Sequence, residues 1–493
     1  MKPPFWKLPG LLAALITFEM LIACSGPRTA TEFCLDGDFD LGARYQGMRP
    51  EAGENYQTRF CYIIEDGKGN VMFDGKGQSN PDMSGDWRVS FLPPDKVRII
   101  NRHAPPDIEF TGKNIVDEAL RYRRTDPKRL LTEIDSHPDW VIAPSDDGWI
   151  RVQYPGAQHE AKVLVTDGRL QEFRTMTDMP LRGRVPVVWQ WRWSDDDAPK
   201  LTMLVDEDVV FTAQGTWRIL STAETDALWQ LSDDLEAIDL PGDRWPAKIN
   251  LETQPVAAGV HLVTGVRTGF SHLVIETAKG LVVADAPAGW IELQQLPPAD
   301  LVPGYGISGL SENFIDYLAE QFPDIPIRAV AITHAHDDHA AGARAFAAAG
   351  ADVFAPQPVA AFLTKALNQP AMPEDRLSET DGQVRVIPVV ARHTLGDAAN
   401  EVELVVLPGG PHVDTALGIW AKDAGVFFQS DLHVPRSDAD SPREDRAATE
   451  CWFAEWATAH LPANTIVVNS HSSPRTPVSR LAKYVESDLC RKP

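Results

Sequence analysis

Four side chains of metal-binding type fall within six residues of this sequence: His334, His336, Asp338 and His339. They follow the apolar segment IRAVAIT, typical of a buried strand, and precede an alanine-rich segment typical of a helix. Imidazole nitrogen and carboxylate oxygen are ligands that zinc prefers. Two histidines two residues apart can converge on one cation, and the following aspartate and histidine can face a second. The spacing therefore predicts a metal site in preference to a solvated turn.

The HxHxDH pattern of this run resembles the signature of the metallo-β-lactamase fold superfamily, and later residues extend the resemblance. His412, Asp431 and His471 each stand at the end of an apolar, strand-like segment, where the family places its remaining ligands. Asp285, in the segment GLVVADAP, matches an early aspartate that orients the motif loop and binds no metal. The resemblance therefore implies a complete ligand set in the order the family requires.

The implied centre holds two divalent cations, expected to be zinc, with iron or manganese as alternatives. The resemblance assigns His334, His336 and His412 to the first cation, Asp338, His339 and His471 to the second, and Asp431 to both. Two other histidines lie near these positions. The spacing to Asp431 favours His412 over His393, and His433 is expected to support the site or lie on the surface.

The charges of this centre indicate its chemistry. Two dications, the two carboxylates of Asp338 and Asp431 and one hydroxide leave a net charge of about +1. Two cations about 3.5–4 Å apart lower the pKa of the water between them, so a bridging hydroxide can attack a substrate without a serine or cysteine nucleophile. Asp338 or Asp431 is expected to relay a proton. The residues predicted to be catalytic are therefore these two aspartates.

An organic cofactor is not expected. Gly304, Gly306 and Gly309 form a GxGxxG pattern, but proline-rich sequence precedes it where a dinucleotide-binding site needs a strand. These glycines are expected in a flexible loop.

The aspartate at position 431 bears on the substrate. Zinc-dependent β-lactamases proper lack an aspartate there, whereas it resembles the bridging ligand of glyoxalase II-type thioesterases, lactonases and phosphodiesterases. We therefore expect hydrolysis of a small-molecule ester, thioester, lactone or amide. Two alternatives stay open: a metal-dependent redox enzyme of the same fold, which iron would favour, and a non-catalytic envelope lipoprotein that binds a ligand.

Composition narrows the possible partners. The chain has 493 residues, 43% of them hydrophobic, and 46 basic against 70 acidic side chains give a net charge of −24 at pH 7. That hydrophobic content is typical of globular protein, and the length predicts two or three domains. The acidic excess argues against nucleic-acid binding and against electrostatic docking on anionic lipid. A small-molecule substrate is the expected partner, and the sequence leaves the oligomeric state open.

The first residues predict export. Lys2 and Lys7 precede an apolar run from Leu11 to Ile22, which is too short to span a bilayer and is typical of a signal peptide. The run ends in LIAC, which resembles a bacterial lipoprotein signal cleaved before Cys24. This implies a lipidated Cys24 that anchors the protein to the membrane of the bacterial cell envelope, facing the periplasm. Ser25 favours the outer membrane, and an ordinary secretory signal is the alternative.

Four further cysteines, Cys34, Cys61, Cys451 and Cys490, make two disulfides possible in an exported protein. Proximity in sequence favours Cys34–Cys61 and Cys451–Cys490 among the three possible connectivities. Four buried thiols are the alternative.

The chain changes character near residue 250, which predicts a signal peptide at 1–23, a β-rich domain at 24–245 and a hydrolase domain at 253–493. The first domain is predicted to be mainly antiparallel β, because segments such as VVWQWRW place alternate side chains on one face. Its tryptophans at 189, 191 and 193 are expected to belong to the core.

Two local expectations accompany this division. A helix is expected at Ala223–Ala237, and Asp36, Asp38 and Asp40 are expected in an acidic surface turn because this segment lacks the glycine and glutamate of a calcium loop.

The second domain alternates strand and helix patterns, including a helix expected at Ala447–His460. The family resemblance implies an αββα sandwich there.

Overall fold

Antiparallel hairpins build the N-terminal part of the chain, and two sheets with flanking helices build the C-terminal part. The computed structural model describes residues 30–40, 55–65, 68–77, 85–92, 96–101, 107–111, 126–136, 141–145, 147–153, 160–179, 181, 183–195, 197–205, 207–228, 235–239, 251–266, 270–288, 308–369, 375–380, 382–396, 400–435, 440–471 and 474–491. The predicted signal segment, Cys24, Gly304 and Gly306 lie outside these residues. So does the segment 240–250, so the predicted domain boundary stays a prediction.

The N-terminal sheet has fourteen strands in the described part of the chain. Its strands are β1 Thr31–Asp40, β2 Asn55–Glu65, β3 Lys68–Gly77, β4 Gly85–Leu92, β5 Lys96–Asn101, β6 Asp107–Thr111, β7 Val141–Pro144, β8 Ile150–Gln153, β9 Ala161–Thr166, β10 Arg169–Met179, β11 Gly183–Trp193, β12 Pro199–Val205, β13 Asp208–Ile219 and β14 Leu235–Asp239, with helices α1 Pro127–Ser136 and α2 Thr222–Leu228. The spatial order is β14-β6-β5-β4-β3-β2-β1-β13-β12-β11-β10-β9-β8-β7. Every adjacent pair is antiparallel except β14 and β6, so the predicted mainly antiparallel architecture is confirmed.

Hairpin chemistry and side-chain alternation explain this sheet. Asp167 and Gly168 join β9 to β10 with φ values of 52° and 72°, the left-handed pair that tight hairpins require. Along β11, Trp189 and Trp191 are 1% and 2% exposed, and the side chains between and before them are more exposed. These two tryptophans belong to the core, as expected, whereas Trp193 is partly buried and stacks on Trp217 at 6.0 Å.

Three local expectations were wrong. Gly309, expected in a flexible loop, is the first residue of the helix Gly309–Gln321. The helix expected over 223–237 ends at Leu228, and Leu235–Asp239 instead pairs in parallel with β6, so a partner distant in sequence overrides the local helical pattern. The acidic run from Asp36 to Asp40 lies within β1, paired between β2 and β13, and forms no surface turn. Asp36 lies opposite Arg59 of β2, with Nε 3.7 Å from its carboxylate.

The C-terminal part contains two further sheets. The first holds β15 Glu252–Ala257, β16 Val260–Thr264, β17 Ser271–Thr277, β18 Gly280–Ala284, β19 Ile327–Ala331, β20 Asp352–Pro356 and β21 Val386–Val389 in sequential order. The second holds β22 Arg392–Leu395, β23 Val402–Pro408, β24 Thr415–Ala421, β25 Val426–Phe428, β26 Ile466–Val468 and β27 Thr476–Pro477, also in sequential order. Helices in this part are α3 Gly309–Gln321, α4 Asp337–Ala340, α5 Ala343–Ala348, α6 Gln357–Leu367, α7 Ala447–His460, α8 Val478–Val485 and α9 Asp488–Arg491, with a 3₁₀ turn at Glu444–Arg446.

The two sheets pack face to face, and helices cover the outer face of each, which makes four layers. On β17, Leu273 and Ile275 join an apolar cluster shared with Leu404 and Ile419 of the second sheet, so this cluster lies between the sheets. Val274 joins a different cluster, which contains side chains of α3, α5 and α6.

The outer face of the second sheet packs similarly. Phe427 and Val467 form a cluster with Phe453 of α7 and Leu481 of α8. The C-terminal part is therefore an αββα sandwich, as predicted.

Disulfides link cysteines that are close in sequence. Cys34 pairs with Cys61 across β1 and β2, and Cys451 of α7 pairs with Cys490 of α9. This connectivity is the one that the sequence favours.

Among the helices of the described residues, none combines the length and apolarity needed to cross a membrane.

A buried ion pair joins several segments of the first helical layer. Arg344 of α5 donates to both carboxylate oxygens of Asp375, at 2.6 and 2.8 Å, and to the Leu367 carbonyl at the end of α6. Asp375 also accepts from Ser308, just before α3, and from Ser378. These bonds hold the pKa of Asp375 at about 2, although burial alone would raise it. The pair therefore fixes the helices against one another.

Replacing Arg344 with methionine should lower the free energy of unfolding by about 3–5 kcal/mol, because Asp375 is left buried without its cation. Since the folded pKa of Asp375 lies below its unfolded value, its contribution is present above about pH 4 and is lost as the pH falls towards 2. Urea unfolding at pH 7 and pH 3 measures both effects. Arg328→Met, which breaks the exposed pair with Asp352, is the control and should cost under about 1 kcal/mol.

Candidate metal centre

Loops at the ends of four strands carry the predicted ligands. The segment 332–339 follows β19, and α4 begins within it, with His336 in extended conformation at the helix N-terminus. His412 lies between β23 and β24, Asp431 follows β25, and His471 follows β26. Because β19, β25 and β26 end at the same edge of the sandwich, side chains up to 137 residues apart in sequence meet there.

A first group forms where the two sheets meet. His334 Nε2 lies 2.8 Å from His336 Nδ1, and His412 Nε2 lies 3.5 Å from Asp431 Oδ2. One ligand atom from each of these four buried residues falls within 4.8 Å of all the others. Three imidazoles and a carboxylate at this separation are suited to a tetrahedral cation site.

A second group shares Asp431 with the first. His339 Nε2 lies 3.3 Å from Asp431 Oδ2, and His471 Nε2 lies 3.0 Å from Asp431 Oδ1. Asp338 Oδ2 lies 3.6 Å from His339 Nε2, at the margin of this group. The structure thus brings all seven predicted ligand residues together, with Asp431 between the two groups.

One imidazole from each group, His339 and His412, directs its Nε2 atom at the same oxygen of Asp431. The Nε2 atoms of His339 and His412 are buried and make no well-formed hydrogen bond within the described residues, and both face Asp431 Oδ2. Buried polar atoms are normally satisfied, so nitrogens converging on one carboxylate indicate a missing partner of positive charge. The residues present therefore fit two divalent cations.

Asp285 fixes the orientation of the motif loop. It is fully buried with φ 61°, and one carboxylate oxygen accepts from the backbone N–H and the hydroxyl of Thr333 at 2.7 and 2.8 Å. The other oxygen accepts from His339 Nδ1 at 3.0 Å. Because this bond keeps one proton of His339 on Nδ1, Nε2 is the nitrogen that a cation would bind, in place of the second proton of the ring.

Thr333 fixes a neighbouring ring in the same way. Its hydroxyl donates to Asp285 and so accepts from His334 Nδ1 at 3.0 Å. The lone pair of His334 is therefore on Nε2, the atom that faces His336.

Three residues that sequence reasoning missed hold Asp431. Ser470 donates to Asp431 Oδ1 at 2.5 Å, Ser430 Oγ lies 3.3 Å from the same oxygen, and Arg446 donates to the Asp431 backbone carbonyl. Ser430 has φ 62°, and its one hydroxyl proton is donated to Asp285, the nearer acceptor at 3.1 Å. In the sequence, Ser430 and Ser470 each stand directly before a predicted ligand, but many serines in loops do so without such a role.

Burial and neighbouring charges shift the pKa values of the imidazoles in opposite directions. Burial lowers the pKa of His412, and it lowers the pKa of His334 well below its ordinary value, with help from the neighbouring His336. Burial also opposes a charge on His339, but the carboxylates of Asp431, Asp338 and Asp285 outweigh it and raise its pKa well above the ordinary value. Asp431, although buried, has its pKa held well below the ordinary value by His339 and His471. Neutral rings on one side and an anion in the middle provide a site with affinity for cations.

The other two histidines lie elsewhere. His393 is exposed on β22, where its ring packs on Phe354 at 4.9 Å. His433 is buried, and its Nε2 bonds to the Thr476 hydroxyl at 3.1 Å. His412, and not His393, is therefore the histidine at the centre.

The sequence model described as Metallo-beta-lactamase superfamily matches residues 306–471, which include the seven ligand candidates. No curated protein sequence matches the chain.

Similar solved structures include a metallo-beta-lactamase from Pontibacter korlensis, with 17% identity and a TM-score of 0.36 over 49% of this chain and 100% of the other. A second, from Hirschia baltica, has 17% identity and a TM-score of 0.35 over 49% and 99%. FIM-1 from Pseudomonas aeruginosa has 14% identity and a TM-score of 0.32 over 48% and 94%. On the sequence match over residues 306–471, the C-terminal part of this chain contains a metallo-beta-lactamase superfamily domain.

Proposed function

We propose that this protein is a metal-dependent hydrolase of the bacterial cell envelope that cleaves a small-molecule ester, thioester, lactone or amide. The observation that carries the proposal is the position of Asp431, with the Nε2 atoms of His339, His412 and His471 all within 3.5 Å of its two oxygens. Superfamily members are mostly metal-dependent hydrolases, which supports the general class of reaction.

Two divalent cations would occupy the two groups. The first would be held by His334, His336 and His412, the second by Asp338, His339 and His471, and both by Asp431. When bound, they would supply Lewis-acid activation of water and of the substrate carbonyl. Zinc is the expected metal because imidazole and carboxylate make up the whole donor set.

The chain's own residues divide the remaining work. Asp431 stays ionised, because its histidine neighbours hold its pKa down, and it therefore acts as a fixed anion. Asp338 is 17% exposed at its side chain and lies at the margin of the site, so it is better placed to hand a proton to a leaving group. Asp285 and Thr333 hold a proton on Nδ1 of His339 and of His334, so Nε2 of each ring is the atom that would bind a cation.

Several features support an envelope location with an anchor at Cys24. The signal-like segment precedes Cys24, and two disulfides in the described residues suit an oxidising compartment. We propose a lipidated Cys24 in the outer membrane facing the periplasm. Labelling with a radioactive fatty acid should mark the wild-type protein and leave Cys24→Ala unmarked.

Metal analysis combined with a substrate panel tests the proposed function. The purified protein should contain about two zinc ions per chain, and a panel of chromogenic esters, thioesters, lactones, amides and nitrocefin should show turnover. Chelation should abolish turnover, and added zinc should restore it. Equal turnover before and after complete chelation would refute the proposal, and native iron with redox activity would replace it.

A further inference from the structure

We propose that Phe270, Ser271 and His272, which are consecutive in the chain, are positioning residues for the metal centre; the inference rests on the function proposed above. Ser271 and His272 are fully buried, and each holds the backbone of a different loop that carries part of the site. His272 acts on the loop of Asp285, and Ser271 acts on the loop of His471.

His272 is a fixed hydrogen-bond donor. Its Nδ1 lies 3.0 Å from the Ala284 carbonyl oxygen, and because a carbonyl can only accept, Nδ1 carries the proton. Burial lowers the pKa of His272 to about 4, so the ring is neutral at pH 7. The ring also packs against Phe314 of α3 at 5.2 Å, which limits its rotation.

The bond to Ala284 supports an unfavourable backbone conformation. Asp285 has φ 61°, a left-handed value that a residue other than glycine adopts at an energetic cost. The Asp285 N–H donates to the Ala331 carbonyl at 2.9 Å. With His272 on the Ala284 carbonyl, both polar groups of the peptide between Ala284 and Asp285 are held. This peptide directs the Asp285 carboxylate towards Thr333 and His339, so His272 acts on the centre through Asp285.

Ser271 holds the other loop by two bonds. Its N–H donates to the Ser470 carbonyl at 2.7 Å, and its hydroxyl donates to the Asn469 carbonyl at 2.8 Å. The Asn469 side chain in turn accepts from the His471 N–H at 2.9 Å. The edge of the Phe270 ring packs on the His471 ring at 4.8 Å. Residues 270 and 271 therefore fix both the backbone and the ring of His471.

The consequence is a link between the two sheets at the second group. His339 is oriented from the first sheet by Asp285, and His471 extends from the second sheet. Their ring centroids lie 6.1 Å apart on either side of Asp431. Because residues 270–272 bond to both loops, they set this separation.

Two substitutions of His272 separate its hydrogen bond from its bulk. His272→Leu removes the donor, whereas His272→Asn keeps an N–H near the position of Nδ1. In the full chain, zinc affinity measured by chelator competition should fall about 10–100-fold in His272→Leu and stay within about threefold of wild type in His272→Asn. The same two changes at exposed His393 are the controls and should leave zinc affinity unchanged.

A second readout requires no metal. The Thr333 N–H bonds to Asp285, so hydrogen exchange of the segment 327–336 in metal-free protein should be faster in His272→Leu and unchanged in His272→Asn. If His272→Leu does not fold, Ser271→Ala tests the positioning role of this segment at the His471 loop, because it removes only the hydroxyl bond to Asn469. It should weaken zinc binding several-fold and leave exchange at 327–336 unchanged.

The outcomes are distinguishable. A folded His272→Leu protein with wild-type zinc affinity, or a His272→Asn protein as weak as His272→Leu, would overturn the inference. A wild-type protein that binds no divalent cation would overturn the inference and the proposed function together. A wild-type protein that binds two zinc ions but hydrolyses nothing would overturn the proposed function alone, since the variant affinities would still support the positioning role.

Discussion

Replacing Asp431 with asparagine should reduce kcat/KM on the best substrate by about 10³-fold or more, equivalent to about 4 kcal/mol of transition-state stabilisation. The carboxylate oxygens lie within 3.5 Å of the Nε2 atoms of His339, His412 and His471, so the change removes the negative charge at the point that both cations would share. Asparagine offers one neutral oxygen in place of two charged ones. We therefore expect metal content to fall from about two ions per chain to one or none.

The control for this variant is the same substitution at Asp423, which is exposed in the turn between β24 and β25. Asp423→Asn should keep both the metal content and the kcat/KM of the wild type. Mass spectrometry of the native protein and steady-state kinetics measure the two quantities. An Asp431→Asn protein that retained more than about a tenth of wild-type turnover with both ions bound would exclude Asp431 from the centre.

The sequence predicts the elements that local patterns determine. The helix Ala447–His460 occurs with the expected bounds, because its composition favours a helix and no competing pairing interrupts it. The histidines and aspartates of the centre follow apolar segments that do form strands, so the approximate location of each could be read from order and spacing. The αββα layering then brings these strand ends to one edge.

What the sequence does not predict depends on partners distant along the chain. Leu235–Asp239 forms a strand because it pairs with Asp107–Thr111, a contact that no local pattern indicates. The roles of Ser430 and His272 depend likewise on their bonds to Asp285 and Ala284, which bridge 145 and 12 residues. Neither residue type distinguishes such a position from an ordinary serine or histidine.

Asp285→Asn should lower zinc affinity by about 10–100-fold and lower kcat/KM by about 10²-fold, although Asp285 binds no metal in the proposed centre. All four groups that bond to its carboxylate are donors: the N–H and hydroxyl of Thr333, the Ser430 hydroxyl and His339 Nδ1. An asparagine replaces one acceptor oxygen by an NH₂ group, so a donor must face a donor in a fully buried site.

The relief of this conflict would disrupt the centre. If the NH₂ group faces His339 Nδ1, that nitrogen must become an acceptor, and the proton moves to Nε2, the atom that faces Asp431. If it faces Thr333 instead, the motif loop loses the bonds that orient it. Nitrogen-15 NMR of the histidine rings distinguishes the two outcomes. Asp352→Asn, which breaks a partly exposed pair with Arg328, should change neither zinc affinity nor turnover. Wild-type zinc affinity in a folded Asp285→Asn protein would show that the tautomer of His339 is set by another group.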